Sequence, residues 1–147
     1  MRKQSSRRNV VLEKSFAFAV GIVKTGRCLQ LDRREWVLSK QLIRSGTSIG
    51  ANIEEAIAAQ SKKDFLSKMS IALKEARETH YWLRVILDSG LANGVETEAH
   101  ISACQELVRL LSSITLTTRE NLESTPRARR EDRHNSTFHT PNSTLSP

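Results

Sequence analysis

This 147-residue chain is poor in the residues that mark several common protein classes. Aromatic residues make up 5% of it, and two of its three prolines fall within the last seven residues. Its two cysteines, Cys28 and Cys104, lie in no metal-ligand spacing, which favours a reduced protein with two small buried thiols over a disulfide. No apolar run approaches the roughly 18 residues of a membrane span. We therefore expect a soluble protein. The length favours one domain, and the dominance of Leu, Ala, Ile, Glu, Lys and Arg up to about residue 122 favours a mostly helical one.

The formal net charge of +7 is unevenly distributed along the chain. Residues 1–9 hold four basic residues and no acidic one, whereas residues 10–122 hold 15 basic and 13 acidic residues. We therefore predict a flexible basic arm over residues 1–8, which includes Arg7 and Arg8. Such an arm suits an anionic partner, nucleic acid above all, and the alternative is a solubilising terminus.

The apolar periodicity of the chain predicts four helices, the first over about residues 9–31 and the fourth over about residues 96–122. The connections between them are short, which favours antiparallel neighbours. The fold class that we predict is all-α, an antiparallel up-down-up-down four-helix bundle over residues 9–122. Residues 123–147 hold almost no apolar side chains, and we predict that they form a disordered tail.

Polar residues and one glycine mark the ends of the two middle helices. Asp32 and Glu35 resemble a capping box and predict the start of the second helix. Ser61 and Asp64 repeat this spacing at the start of the third. Gly90 is well placed to end the third helix, because glycine adopts the left-handed conformation found there.

The start of the chain also resembles an export signal. Residues 6–11 (SRRNVV) match a twin-arginine pattern, but two charged residues interrupt the apolar stretch that follows, and Lys24 ends it early. An amphipathic helix with Leu12, Phe16, Ala19 and Val23 on one face is the better interpretation. We therefore expect a cytoplasmic protein.

The most unusual segment is residues 41–56 (QLIRSGTSIGANIEEA). Each glycine inside a helix costs about 1 kcal/mol relative to alanine, a cost usually accepted where another backbone comes close or a specific polar contact must form. At about 100° per residue, one face of this second helix is apolar and faces the core. The opposite face is small and polar, which indicates a surface that a neighbour approaches closely. Its members include Arg44, Ser48, Asn52 and Glu55.

The third helix carries a second stripe beside its core-facing one. There Glu75, Glu78 and Trp82 lie among large apolar side chains. A carboxylate in such surroundings needs a partner, and Arg44 is the candidate because its planar guanidinium can hold a carboxylate by two hydrogen bonds. One bundle core uses a single stripe per helix, so the additional stripe suggests a subunit interface.

A third strip of the same helix interleaves basic residues with one aromatic residue. This strip consists of Lys74, Arg77, Tyr81 and Arg84. Such a pattern can bind phosphates and stack on a base, and its alternative is an ordinary solvated face. Lys62 and Lys63 oppose the helix dipole at the start of this helix, and a nearby phosphate would make them favourable.

Catalysis and cofactor binding find little support in the sequence. No Glu-x-x-His pair lies within a helix to build a di-metal site, and no Ser or Cys nucleophile has an evident base. His100 and Cys104 share a helix face, yet two metal ligands without a third are more often packing or surface residues. We expect no enzymatic activity, no cofactor and no small-molecule substrate. A metal-dependent hydrolase is a further functional alternative, and it would require bound metal.

Two long segments carry a family resemblance. Residues 41–56 and 65–83 (FLSKMSIALKEARETHYWL) resemble the hallmark segments of the bacterial 23S rRNA intervening-sequence proteins, and the similarity covers about residues 10–120. The resemblance implies an antiparallel four-helix bundle that assembles as a homopentameric ring. It also implies a protein encoded in intervening sequences of 23S rRNA genes or elsewhere in bacterial genomes, and not a ribosome component. A distant relative, the accessory variability protein of diversity-generating retroelements, binds nucleic acid and a reverse transcriptase through a surface more basic than this bundle.

Residues and resemblance together predict a non-enzymatic, oligomeric bundle that binds RNA or DNA phosphates without reading sequence. The alternative is a structural or protein-interaction module that self-assembles without binding nucleic acid. The candidates for phosphate binding are Arg7, Arg8, Lys62, Lys63, Lys74, Arg77 and Arg84. The candidates for assembly are Arg44, Ser48, Asn52, Glu55, Glu75, Glu78 and Trp82.

Overall fold

The structure is a computed structural model that describes residues 2–124, with side chains from residue 10 onward. Over this range the chain forms four helices and no strand. They are α1 (Arg2–Asp32), α2 (Val37–Ile57), α3 (Lys62–Asp88) and α4 (Gly94–Glu123). The disordered tail that the sequence predicts lies, from residue 125 onward, outside the described residues.

The four helices pack side by side around one core. Each successive pair is in contact, and α4 closes the bundle by returning to α1, while no Cα atoms of the diagonal pairs lie within 8 Å of each other in the described range. Connections of four or five residues join the helices, which places neighbours antiparallel. The predicted all-α four-helix bundle is confirmed.

Two of the predicted helix boundaries follow the expected chemistry. Ser61 lies before the first residue of α3, and its hydroxyl oxygen accepts a hydrogen bond of 3.1 Å from the Asp64 amide. Gly90 follows the end of α3 with a φ of 69°, the left-handed conformation that ends a helix. Residues local to each boundary therefore mark both ends of α3.

The start of α2 differs from the prediction, and α1 begins earlier. Asp32 belongs to the last turn of α1 instead of capping α2. Glu35 alone caps α2, because its Oε1 accepts hydrogen bonds from the amides of Val37 (2.8 Å) and Leu38 (2.7 Å). The helical backbone of α1 extends to Arg2, seven residues before the predicted start, so the residues predicted as an arm continue this helix.

The buried face of α1 is not the one predicted. Ile22 and Phe18 are buried, whereas Phe16, assigned to the inner face, is 68% exposed. This helix carries apolar side chains on several sides, so periodicity alone does not select the face. The selection depends on partners in other helices: Ile22 lies against Gly46 of α2, and the ring of Phe18 packs edge-on against His100 of α4, with centroids 6.3 Å apart.

The cysteines differ from each other. Cys104 is buried, and its thiol donates a hydrogen bond of 3.1 Å to the Ala76 carbonyl of α3. Burial raises the pKa of this thiol to about 12, which keeps it protonated and unreactive. The prediction of a buried thiol is wrong for Cys28, which is exposed on α1.

Candidate functional site

The predicted basic strip of α3 faces solvent. We use "basic strip" for Lys74, Arg77, Tyr81 and Arg84, all of which are exposed. The opposite side of the same helix is fully buried in the core at Ala72, Ala76 and Leu83. At about 1.5 Å per residue, the strip extends about 15 Å along the helix.

The cations of the basic strip have no carboxylate partner among the described side chains. No ion pair there involves Lys74, Arg77 or Arg84. Exposed cations without a partner keep their full positive charge available to an anion and carry little desolvation penalty. The strip is therefore a preformed positive surface.

Of the other phosphate-binding candidates with described side chains, one lies on the same face of α3 as the strip and one does not. Lys63 precedes Lys74 by eleven residues, about three turns, so it extends the same outer face toward the start of α3. Lys62 instead borders a cleft that Phe65 of α3 and Thr118 of α4 also line. The side chains of Arg7 and Arg8 lie outside the described residues.

A second surface spans α2 and α3, and we call it the α2/α3 surface. It consists of Arg44, Ser48, Asn52, Glu55, Ile71, Glu75, Glu78 and Trp82. At its centre the guanidinium of Arg44 pairs with the carboxylate of Glu78 and lies 3.5 Å from Glu75 Oε2. The indole N–H of Trp82 donates a hydrogen bond of 3.1 Å to Glu78 Oε1. The pairing that the sequence predicts between Arg44 and these carboxylates is present within one chain.

These contacts fix the charge of Glu78. The hydrogen bond from Trp82, together with the hydrogen bond and charge of Arg44, lowers the pKa of this carboxyl. The hydrogen bond that Arg44 donates to Glu78 also raises the pKa of Arg44. The carboxylate therefore stays ionised and is compensated by α2, and it does not draw on the cations of the basic strip.

The remaining members of the α2/α3 surface also find partners in their own chain. Ser48 donates a hydrogen bond of 2.7 Å to the Arg44 carbonyl, and the Asn52 amide donates one of 2.8 Å to the Ser48 carbonyl. Glu55 pairs with Lys68 of α3, a contact that the sequence analysis did not anticipate. The role of these residues in assembly stays a prediction.

Two features of the α2/α3 surface are not satisfied in a single chain. Glu75 Oε2 is closed off from solvent and has no hydrogen-bond partner among the described residues, although it lies at ion-pair distance from Arg44. Ile71, on the same side of α3, leaves 38% of its surface exposed. A buried carboxylate oxygen that accepts no hydrogen bond is unfavourable even beside a cation, and so is an isoleucine exposed to water.

Sequence reasoning missed two polar clusters between helices. The hydroxyls of Ser45 and Thr79 are hydrogen bonded at 2.9 Å, and both residues are fully buried between α2 and α3. Thr25 of α1 lies 2.9 Å from His100 Nε2 and 3.2 Å from Glu96 Oε1 of α4. The available signal was a small hydroxyl residue at a core-facing position of α1, α2 and α3.

The structure also bears on metal binding and membrane insertion. Within the described range, no three His, Cys, Asp or Glu side chains lie close enough together to hold a metal ion. His100 and Cys104 point to different neighbours, the first toward α1 and the second toward α3. None of the four described helices combines the length and apolarity that a bilayer crossing requires.

Comparison with known proteins places these surfaces on a known fold. A family model described as 23S rRNA-intervening sequence protein matches residues 7–113. The chain is also similar to a crystal structure from Bacteroides thetaiotaomicron, described as a protein with unknown function from the S23 ribosomal protein family. The two share 46% sequence identity and a TM-score of 0.73, over 75% of this chain and 98% of that one. No curated protein matches the chain.

Proposed function

Because the chain belongs to the 23S rRNA-intervening sequence protein family, we propose that it is a non-enzymatic, self-assembling bundle that binds RNA or DNA phosphates. The basic strip of α3 is the surface that makes this contact. The observation that carries the proposal is the set of three exposed strip cations that have no ion-pair partner among the described side chains.

The binding is electrostatic. Each cation that neutralises a phosphate releases condensed counterions into solution, which drives association regardless of base sequence. Lys74, Arg77 and Arg84 are all exposed, so they reach a phosphate with little loss of hydration. The Arg44 pairs matter here because they compensate Glu75 and Glu78, which lie on the same helix as the strip.

Self-assembly multiplies this weak contact. We propose that copies associate through the α2/α3 surface, where a neighbour would cover Ile71. A closed homopentamer presents five basic strips to one nucleic acid, and linked weak contacts bind far more tightly than single ones. No strip has to be strongly basic for the assembly to bind.

Salt dependence of RNA affinity tests the nucleic-acid part of the proposal. With three phosphate contacts per strip on a single strand, the affinity should fall about 20-fold between about 50 and about 200 mM salt, and more steeply if several strips engage. A fluorescently labelled RNA of mixed sequence and full-length protein are sufficient for this measurement. Absence of binding at the lower salt concentration would remove the proposal.

Light scattering tests the assembly. Five chains of 16.6 kDa give a particle of about 83 kDa. Ile71→Lys should shift the protein to smaller species, because it puts a charge into the proposed contact. Ile57→Lys is the matched control, since Ile57 is 40% exposed but lies near the end of α2. If neither variant alters the mass, the interface is elsewhere.

The second candidate is a structural module that assembles without nucleic acid. The exposed Ile71 favours this function as much as the first, because it concerns assembly only. The two candidates differ in one result. A homo-oligomer that binds neither RNA nor DNA at low salt is the structural module.

A further inference from the structure

The basic strip contains one side chain that phosphate binding does not need. Tyr81 lies on the strip between Arg77 and Arg84, one helical turn from each, and leaves 53% of its surface exposed. No core residue lies beneath it, because the side of α3 that bears Tyr81 is opposite the buried positions. A solvated charged face would favour a long polar residue at this position.

The ring of Tyr81 is held in place but not covered. Its aromatic partner is Trp82, with ring centroids 5.0 Å apart and ring planes inclined at 67°. Trp82 is in turn anchored by the hydrogen bond to Glu78, which Arg44 fixes to α2. The network that links α2 and α3 therefore supports an exposed aromatic ring in the middle of a row of cations.

An exposed ring flanked by cations suits a base whose face is free. In a duplex, each base face is covered by its neighbours in the stack, so a helix lying on the phosphates could use the cations but not the ring. In a single strand the bases can turn outward and stack on an aromatic ring while the cations hold the adjacent phosphates. Stacking of this kind accepts any base, because every base has a face that can stack.

We propose that the basic strip binds single-stranded nucleic acid in preference to duplex, with an unpaired base stacked on Tyr81. The inference rests on the proposed function, since it specifies which nucleic acid the strip holds. Arg77 and Arg84 contact the phosphates on either side of the stacked base. Trp82 limits the rotation of the Tyr81 ring and takes no part in the contact itself.

The test compares a labelled RNA strand of about 20 nucleotides with the same strand annealed to its complement, at low salt. Full-length protein and its Tyr81→Ala, Tyr81→Phe and Arg77→Ala variants are titrated against both. The wild type should bind the single strand at least about tenfold more tightly than the duplex. Tyr81→Ala should lose about tenfold on the single strand and little on the duplex, while Tyr81→Phe retains the preference because it keeps the ring.

The two proposals fail in different ways. If Arg77→Ala weakens both forms equally, and Tyr81→Ala changes neither, the preference for single strands is wrong and phosphate binding stands. If no nucleic acid binds, both proposals are wrong. Because Tyr81 is exposed, its substitution should leave the circular dichroism and thermal midpoint unchanged, so a loss of affinity reports on contact and not on folding. Binding of phosphatidylserine vesicles in place of RNA would also overturn the inference.

Discussion

The guanidinium of Arg44 on α2 pairs with the carboxylate of Glu78 on α3, 34 residues further along the chain. This contact joins two helices near the surface of the bundle and leaves Glu78 ionised and locally neutralised. It also holds the residue to which Trp82 is anchored. One ion pair thus connects the packing of α2 on α3 with the charge balance of the basic strip.

Glu78→Gln tests the pair through its pH dependence. The contacts lower the pKa of Glu78 below its ordinary value of 4.5, so their stabilisation is complete above that value and is lost as pH falls through the lower pKa of the folded state. The variant should be less stable than the wild type by about 0.5–1 kcal/mol at neutral pH, as for other pairs near the surface. The difference should shrink below about pH 4.5, measured by urea unfolding across pH.

Glu54→Gln is the control for this measurement. Glu54 is an exposed carboxylate on the same helix as Arg44 and has no ion pair among the described side chains. Its substitution should leave the free energy of unfolding within about 0.5 kcal/mol of the wild type at each pH. A Glu78→Gln difference that stays constant from neutral to acid pH would contradict the assigned role of the pair.

The two glycines of α2 should respond oppositely to alanine. A Cβ at Gly46 would lie 2.7 Å from Ile22 Cγ2, and Ile22 is fully buried, so Gly46→Ala should destabilise the protein by about 1–3 kcal/mol. A Cβ at Gly50 would lie 3.6 Å from its nearest neighbour, the Ser15 carbonyl oxygen, which is an ordinary contact. Gly50→Ala should therefore raise stability by up to about 1 kcal/mol through helix propensity.

Chemical unfolding of the Gly46→Ala and Gly50→Ala variants measures these two effects on stability directly. Each variant adds the same methyl group to the same helix, so the comparison cancels any general effect of alanine. Equal effects of the two substitutions would mean that the close approach of α1 at Gly46 is not the reason for this glycine.

The buried hydroxyl pair offers a third test. Thr79→Val or Ser45→Ala removes one hydroxyl and leaves the other with only a carbonyl of its own helix, which should cost about 0.5–1.5 kcal/mol. The double variant should lose less than the sum of the two, because no hydroxyl is then left without its partner. Ser70→Ala, at a half-buried position where the hydroxyl bonds only its own helix, should change stability little. Strict additivity of the double variant would contradict the coupling.

Much of this fold could be predicted from local chemistry in the sequence. The four helices, the capping of α3 by Ser61 and its end at Gly90 all depend on residues close in the chain. The Arg44–Glu78 pair was also predictable, because a carboxylate on an apolar stripe requires a partner and Arg44 is the one cation on the small, polar face of α2.

What could not be predicted depends on contacts between distant helices. The inward face of α1 is set by how Ile22 fits against Gly46, and a helix that is apolar on several sides does not reveal this in its own periodicity. The Ser45–Thr79 hydrogen bond has the same origin: each hydroxyl also bonds a carbonyl of its own helix, but the two meet only when α2 and α3 are aligned. For the site, the sequence identified the strip residues, whereas their lack of ion-pair partners required the positions of all described side chains.

Charge reversal on the basic strip tests the central claim most directly. The variant Lys74→Glu, Arg77→Glu, Arg84→Glu is compared with Lys24→Glu, Arg27→Glu, Lys40→Glu, which reverses three exposed cations on α1 and α2 and lowers the net charge of +7 equally. RNA affinity is measured at about 50 mM salt. The account predicts a loss of at least about 20-fold for the strip variant and less than about threefold for the other. Equal losses in the two variants would contradict it, because net charge and not the strip would then determine binding.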